Sequence, residues 1–210
     1  MSEQLLMWIP ILLISVILHE VSHGWVALYF GDATALRAGR LTLNPLKHID
    51  PVGSILLPAL LMLARAPFLF AWAKPVPVNP LNMKNPKRDM IFVGAAGVVM
   101  NFLIAFAAAV LLKFFGGTHI FLARFLSGLV LFNVVLGLFN LFPIPPLDGS
   151  RVLAGLLPPR IAAALLRLER HGMLIILLLV MVGFFRKVLL PMVWFTVVLL
   201  TRITGAQLVL

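Results

Sequence analysis

The chain has 210 residues, of which 62% are hydrophobic and 11% charged, with a mean hydropathy of +1.09 and a formal net charge of +10. A soluble domain is about half apolar and about a quarter charged, so the composition excludes that class and predicts an integral membrane protein with a single domain, residues 1 to 210. The basic residues gather between apolar segments, which is typical of cytoplasmic loops facing anionic lipid headgroups and argues against a nucleic-acid partner. Cysteine is absent, which excludes disulfides and thiolate metal ligands.

The N-terminal part of the chain predicts a membrane-spanning helix over residues 5 to 30 that ends at Gly31. No basic region or small-residue cleavage site accompanies it, so we expect it to be retained rather than removed as a signal peptide. In residues 33 to 50 the polar and apolar side chains alternate from Arg40 to Asn44, which is the period of a β-strand. We therefore expect a small membrane-associated β-hairpin or sheet here.

The middle of the chain holds one segment of open topology and two clear spans. Residues 52 to 72 are apolar but interrupted, and they fit either one span or a re-entrant hairpin broken near Arg65. Residues 73 to 89 contain four prolines and predict an extended surface loop. Two further spans are predicted over residues 90 to 112 and 121 to 142.

The C-terminal part has a basic, moderately helical stretch up to residue 171, followed by two apolar runs, residues 172 to 185 and 188 to 201. Arg186 and Lys187 separate the two runs. Each is short for a span, so they fit either one bent span or a span plus an interfacial helix. The fold class predicted from the whole pattern is an all-α polytopic membrane protein with about four to six transmembrane helices.

The first predicted span contains an HExxH pentapeptide, residues 19 to 23. Positions i and i+4 share one helix face, so His19 and His23 can hold one ion, while Glu20 projects beside them as a general base. The alternative is a pair of hydrogen-bonded core histidines. Ionisable groups inside a span are costly unless they are paired or hydrated, and the apolar setting therefore favours a zinc site.

A zinc hydrolase site needs a third protein ligand. The candidates are the remaining histidines and acids: His48, His119, His171, Glu3, Asp32, Asp50, Asp89, Asp148 and Glu169. Most of them lie in loops beside basic residues, where a solvated charge is the ordinary explanation. Asp148 differs because three prolines, which forbid a regular helix, separate it from the span over residues 121 to 142. Irregular backbone at membrane depth must be buried in protein or line a cavity, although Asp148 could instead cap the next helix.

HEVSH in the first span and NLFPIPPLDG at residues 140 to 149 together resemble the motifs of the site-2 protease family (peptidase family M50), which are intramembrane zinc metalloproteases. The resemblance implies one Zn²⁺ per chain, with His19, His23 and Asp148 as its ligands and Glu20 as the catalytic base.

The resemblance also implies supporting residues. Residues 97 to 101, GVVMN, are similar to a G-P-x-x-N element of the family, but Val98 stands in place of the proline. The resemblance assigns a substrate-positioning or oxyanion role to Asn101. Asn140, Asn101 and Asn44 are the candidates for binding substrate or supporting the metal ligands.

Residues 17 to 53, 74 to 101 and 140 to 153 resemble the small bacterial members, and we expect no PDZ-like or CBS-like domain in 210 residues. The resemblance implies a catalytic core of about residues 5 to 157, followed by C-terminal hydrophobic segments within residues 172 to 201. It also implies a bacterial cytoplasmic membrane protein, and the basic loops on either side of residues 52 to 72 predict an active site towards the cytoplasmic side.

The implied activity is cleavage of transmembrane helices, which must unwind before their peptide bonds are accessible. An edge strand at residues 36 to 44 could bind the unwound segment by β-augmentation, or the same residues could be an ordinary hairpin. The alternatives are a non-catalytic membrane-helix-binding factor, against which the intact Glu20 argues, and a metal-ion transporter. A transporter would need polar residues in several spans, and residues 90 to 112 have almost none apart from Asn101. The oligomeric state is left open.

Overall fold

The computed structural model describes residues 2 to 65 and 71 to 209, which form a bundle of helices. In chain order these are α1 Ser2–Tyr29, α2 Thr34–Arg37, α3 Leu57–Leu63, α4 Pro86–Phe115, α5 Ile120–Leu141, α6 Asp148–Leu156, α7 Pro159–Arg167, α8 Glu169–Met181 and α9 Phe184–Thr204. A π-helical turn, Pro51–Leu56, runs into α3, and 3-10 turns occupy Pro45–Lys47 and Pro80–Asn82.

Among the described residues, four helices are long and apolar enough to cross a membrane: Met7–Tyr29 of α1, and the whole of α4, α5 and α9. The prediction of a polytopic helical membrane protein is confirmed at this level. The C-terminal break differs from the prediction. The chain turns at Gly183, whose φ of 72° is left-handed, and α9 then continues through Arg186 and Lys187 for 21 residues. The outcome is one helix of membrane length preceded by the 13-residue α8.

Helix α4 lies at the centre of the bundle, where it contacts α1, α5, α6 and α9. Its buried face includes Ala105, Ala108 and Ala109. Small side chains let helices approach closely, which is how membrane helices gain packing energy in the absence of a hydrophobic driving force. The HExxH segment of α1 is thereby brought directly against α4.

No strand occurs in residues 2 to 65 or 71 to 209, so the expected β-hairpin, including an edge strand at residues 36 to 44, is not borne out. Side chains bond the backbone locally instead. His48 Nε2 lies 2.8 Å from the carbonyl oxygen of Thr42, and the N–H of Asn44 donates to the Thr42 hydroxyl at 3.2 Å. The alternating pattern was misleading because polar Arg40 is buried while apolar Leu43 is exposed.

The apolar segment that begins at Pro51 returns on itself. Its helical part ends at Leu63, which makes it shorter than a membrane span. Beyond residues 66 to 70, the N–H of Trp72 donates to the carbonyl of Gly53 at 3.2 Å, and the hydroxyl of Ser54 donates to the carbonyl of Trp72 at 2.8 Å. These contacts exclude a single span over residues 52 to 72 and favour the hairpin alternative.

Residues 71 to 79, here called the strap, are extended and are held through their backbone. The N–H of Lys74 donates to the carbonyl of His48 at 2.9 Å, and the carbonyl of Lys74 accepts from Arg40 Nη2 at 2.6 Å. At the end of the strap, the N–H of Asn79 donates to Asp32 Oδ2 at 2.6 Å. The strap is thus fixed across the end of α1 that carries the HExxH.

Asp32 holds the C-terminal end of the strap. Its buried carboxylate also accepts from the N–H and hydroxyl of Thr34 and, at 2.8 Å, from Asn82 Nδ2. Burial raises the pKa of Asp32, but the hydrogen bonds from Thr34, Asn82 and Asn79 outweigh it and hold the pKa below the usual 3.8.

Candidate metal centre

Three side chains from two helices converge at the centre of the bundle. His19 and His23 project from one face of α1, and Asp148 is the first residue of α6. Asp148 Oδ2 lies 3.1 Å from Nε2 of His19 and 3.2 Å from Nε2 of His23, and the two ring nitrogens are 3.2 Å apart. All three residues are buried. In the part of the chain that the structure describes, they form the one group of three or more such side chains able to hold a metal ion.

The arrangement fits zinc in both distance and chemistry. Tetrahedral Zn²⁺ with ligand bonds of about 2.0–2.2 Å separates its ligand atoms by about 3.3–3.6 Å. The observed separations of 3.1 to 3.2 Å are a few tenths of an ångström shorter. Asp148 Oδ2 is buried without a hydrogen-bond partner, which is costly unless a cation binds it. A carboxylate binds a metal in its ionised form, and that of Asp148 faces the Nε2 atoms of both imidazoles.

The outer nitrogens of both rings contact α4. Nδ1 of His19 lies 2.7 Å from Oδ1 of Asn101, and Nδ1 of His23 lies 2.6 Å from the backbone carbonyl of Val93. Such acceptors hold the proton on Nδ1 and leave Nε2 free to bind a metal. Asn101 was among the candidates for supporting the metal ligands, whereas the carbonyl of Val93 was not.

Gly97 lets α4 approach the two histidines. A Cβ atom at this position would lie 2.4 Å from Cε1 of His19 and 2.5 Å from Nε2 of His23. Real Cβ atoms essentially never come so close to a neighbour, so any other residue at this position would force the imidazoles or α4 to move. Asn101, the last residue of the element, lies one turn further along the same helix face, against His19.

Glu20 lies beside the converging side chains rather than among them. It is half-buried, and its Oε2 accepts a hydrogen bond of 2.8 Å from the N–H of Val76 in the strap. The carboxylate therefore lies where α1 meets the strap, next to His19 in the chain. Its role as a general base stays a prediction.

The other predicted site residues lie in different settings. Asn140 donates to the carbonyl of Leu136 in its own helix at 3.0 Å, and exposed Asn44 accepts from the N–H of Leu46 at 3.0 Å. Asn101 is completely buried, with its carboxamide between His19 and Asn133. The substrate-binding roles considered for these three asparagines stay predictions.

Sequence reasoning missed Asn133 and Ser15. Asn101 Nδ2 donates to Oδ1 of Asn133 at 2.8 Å, and Asn133 Nδ2 donates to the hydroxyl of Ser15 at 2.8 Å. A carboxamide in the middle of an apolar span is costly without a partner. That signal is present in the sequence of α5 and could have identified Asn133, whereas a serine that bonds its own helix gives no comparable signal.

The fold and the site define a helical membrane protein with a buried His–His–Asp metal centre. The chain is 41% identical over 189 residues to "Putative zinc metalloprotease YwhC" of Bacillus subtilis, covering 86% of this chain and 83% of that protein. It is 32% identical over 171 residues to "Putative zinc metalloprotease Rip2" of Mycolicibacterium smegmatis, covering 80% of this chain and 63% of the relative. It is 27% identical over 147 residues to "Zinc metalloprotease MJ0392" of Methanocaldococcus jannaschii, covering 70% and 33%.

The chain therefore belongs to the zinc metalloprotease family that includes YwhC. The match to YwhC extends over most of both proteins, while the chain spans about a third of MJ0392. No protein-family model matches the chain. No solved structure matches it either.

Proposed function

We propose that the chain is an intramembrane zinc endopeptidase of the site-2 protease type (family M50), which hydrolyses peptide bonds in or near the transmembrane helices of membrane proteins during regulated intramembrane proteolysis. The observation that carries the proposal is the convergence of His19, His23 and Asp148 inside a bundle of membrane-length helices. The names of the relatives support zinc and proteolysis. The apolar surroundings of the site support its location within the membrane.

In this function His19, His23 and Asp148 hold one Zn²⁺, which supplies Lewis acidity towards water and the scissile carbonyl. Glu20 takes a proton from the attacking water and passes it to the leaving amine. Its hydrogen bond from Val76 holds the carboxylate beside the histidines. Asn101 and the carbonyl of Val93 hold the two imidazoles in position.

The substrate must present an accessible peptide bond. A transmembrane helix satisfies its own backbone groups, so its carbonyls become available only after local unwinding within or beside the bilayer. Basic residues in the loops next to the spans support an active site towards the cytoplasmic side of a bacterial inner membrane. The partners in this proposal are a transmembrane protein substrate and the lipid bilayer.

The first experiment measures bound zinc per chain in purified wild type, Glu20→Gln and Asp148→Ala. We expect about one zinc per chain in wild type and in Glu20→Gln, and loss of most of it in Asp148→Ala. Glu20 lies outside the ligand group, so its variant is the matched control for a general effect of removing a carboxylate. A wild type that takes up no zinc when zinc is supplied would overturn the proposal.

A second experiment tests catalysis with a panel of single-span reporter proteins in proteoliposomes. We expect cleavage by wild type and a loss of about 10²- to 10⁴-fold in Glu20→Gln, the usual contribution of a general base. Full zinc occupancy with equal cleavage rates in the two proteins would remove Glu20 from catalysis. A zinc-loaded protein that binds reporters without cutting any would favour a helix-binding factor, and zinc flux into the vesicles would favour a transporter.

A further inference from the structure

We propose that Asn133 and Ser15 are positioning residues of the metal centre, because they belong to a directed chain of hydrogen bonds that holds the acceptor for the Nδ1 proton of His19. Neither residue is a metal ligand. The inference rests on the zinc site of the proposed function and adds residues to it from the interior of the bundle.

The chain of hydrogen bonds crosses three helices. From His19 on α1 it passes to Asn101 on α4 at 2.7 Å and to Asn133 on α5 at 2.8 Å. It then returns to α1 at Ser15 at 2.8 Å, and the hydroxyl of Ser15 donates to the carbonyl of Ile11 at 2.7 Å. Ser15, Asn101 and Asn133 are each 0% exposed, so water does not offer their polar groups alternative partners.

The direction of this chain of hydrogen bonds is set at Asn133, far from His19. Asn133 has a nitrogen 2.9 Å from the backbone carbonyl of Leu129. A carbonyl can only accept, so the atom facing it must be the NH₂ group, and the other atom of the carboxamide must be the oxygen. That oxygen faces Asn101. Asn101 must therefore turn its own NH₂ towards Asn133.

The same logic then reaches the metal centre. With the NH₂ of Asn101 committed to Asn133, its oxygen faces Nδ1 of His19. When Nε2 of His19 binds a metal, the ring proton must be on Nδ1, and the oxygen of Asn101 is placed to accept it. Nε2 is the atom that lies 3.1 Å from Asp148 Oδ2. The orientation at Leu129 thus favours the form of His19 that binds a metal.

Reversal of the chain would oppose binding. If Asn101 turned its NH₂ towards His19, Nδ1 would have to accept and Nε2 would carry the proton, in the position where a metal must bind. His23 needs no such chain, because its Nδ1 faces a backbone carbonyl, that of Val93, which cannot reverse. The carboxamide of Asn101 could turn, and Asn133 prevents it.

Ser127 supplies a matched control. It lies on α5 like Asn133 and is also 0% exposed, and its hydroxyl donates to the carbonyl of Ala123 at 2.7 Å. It accepts from the N–H of Val209 at 2.9 Å and has no contact with the chain that ends at His19. Ser127→Ala and Ser15→Ala remove the same group from equally buried positions.

The test measures the zinc dissociation constant of the purified full chain by competition with a chelator, together with thermal stability in the absence of zinc. Mutation of a residue that supports a metal ligand weakens metal binding about 10- to 100-fold. We expect Asn133→Leu to weaken zinc binding about 10-fold, at the lower end of that range because it acts through Asn101. Asn133→Asp keeps an acceptor towards Asn101 and, kept neutral by its apolar site, a donor towards Leu129. We expect zinc binding within about threefold of wild type for this variant.

The second readout is the Nδ1 proton of His19, followed by NMR in the zinc-bound protein labelled with ¹⁵N at histidine. Wild type and Asn133→Asp should keep this proton bonded to Asn101 and slow to exchange with solvent, whereas Asn133→Leu should speed its exchange. A merely structural role would lower thermal stability without changing the exchange at His19 relative to that at His23. Unchanged exchange at His19 and zinc affinity within twofold in Asn133→Leu would overturn the inference, as would equal losses of affinity in Asn133→Leu and Asn133→Asp.

If Asn133→Leu does not fold, Ser15→Ala and Ser127→Ala test the inference. Leu129 still orients Asn133 after Ser15→Ala, so we expect zinc binding to weaken only about threefold, and Ser127→Ala to leave it unchanged. Equal zinc affinities in the two serine variants would overturn the inference. Failure of wild type to bind zinc is a separate outcome, which contradicts the proposed function itself.

Discussion

The metal centre and the strap region, which is the strap together with the loop residues that hold it, are polar structures built in different ways. In the metal centre, side chains bond one another across helices that are distant in the sequence, as Asn133 does with Ser15 over 118 positions. In the strap region, side chains bond the backbone of neighbouring loops, as Arg40 does with Lys74 and Asp32 with Asn79. The first region depends on how closely the helices pack, and the second depends on capping.

The difference predicts two kinds of sensitivity to mutation. A change in helix packing moves ligand atoms that must stay within a few tenths of an ångström, so it should remove zinc before it unfolds the bundle. A change in a capping residue releases a loop segment but leaves the ligands in place, so it should lower local stability and spare zinc affinity. Mutations in each region test this contrast.

The largest effect is expected at Gly97. In Gly97→Ala the new Cβ would overlap Cε1 of His19 at 2.4 Å, so either α4 or the imidazole must move. We expect zinc affinity to fall by at least 100-fold, beyond the range for losing a supporting contact. Equilibrium zinc titration measures it. Gly117→Ala is the control, because its Cβ would meet nothing within 4 Å, and equal zinc affinities in the two variants would contradict the packing argument.

The sequence predicted the metal centre better than it predicted the strap region. The ligands lie in two short motifs, HExxH and PxPxLDG, which can be recognised in the sequence. The i, i+4 spacing then places His19 and His23 together without knowledge of the fold. Asn133 and the strap contacts depend on residues brought together by tertiary packing. The strand predicted around Arg40 was wrong. Alternation of polar and apolar residues indicates a strand only where a neighbouring strand is present to pair with it.

A smaller effect, of a different kind, is expected at Asp32. Asp32→Ala leaves several partly buried donors without their charged acceptor, and we expect the free energy of unfolding to fall by about 3 kcal/mol. Faster hydrogen exchange at the amide of Asn79 should accompany the loss, because that N–H donates to Asp32. Zinc affinity of the folded variant should stay within about threefold of wild type.

The matched control for Asp32 is Asp50→Ala. Asp50 also caps a turn, since it accepts from the N–H groups of Val52 and Gly53, but no hydrogen bond links its side chain to the strap among the described residues. Asp50→Ala should lower the free energy of unfolding by about 1 kcal/mol, the usual cost of a lost cap. It should not speed hydrogen exchange at the amide of Asn79. A large loss of zinc in Asp32→Ala would show instead that the strap and the metal centre form one unit.

The pH dependence of stability should also reflect Asp32. Its pKa is lower in the folded protein than the usual 3.8, so at acid pH the unfolded chain takes up a proton before the folded protein does. The stabilisation is therefore complete above the unfolded pKa and is lost as the pH falls through the folded pKa. In thermal melts from pH 7 to pH 3, the difference between wild type and Asp32→Asn should be constant above about pH 5 and shrink below pH 4. A difference that grows on acidification would contradict the assignment.

The smallest effect is expected at Asn44, where cleavage assays distinguish a capping role from substrate binding. Asn44 is exposed, and its side chain caps the 3-10 turn Pro45–Lys47 by accepting from Leu46. Asn44→Ala should cost about 0.5–1 kcal/mol as a lost cap, whereas Asn44→Asp should retain the cap. If capping is its whole role, both variants cleave a membrane reporter at the wild-type rate. If Asn44 binds substrate, both lose cleavage although only one loses stability, because a carboxylate cannot donate to a substrate carbonyl. The pair therefore separates a contact with substrate from a contact within the fold.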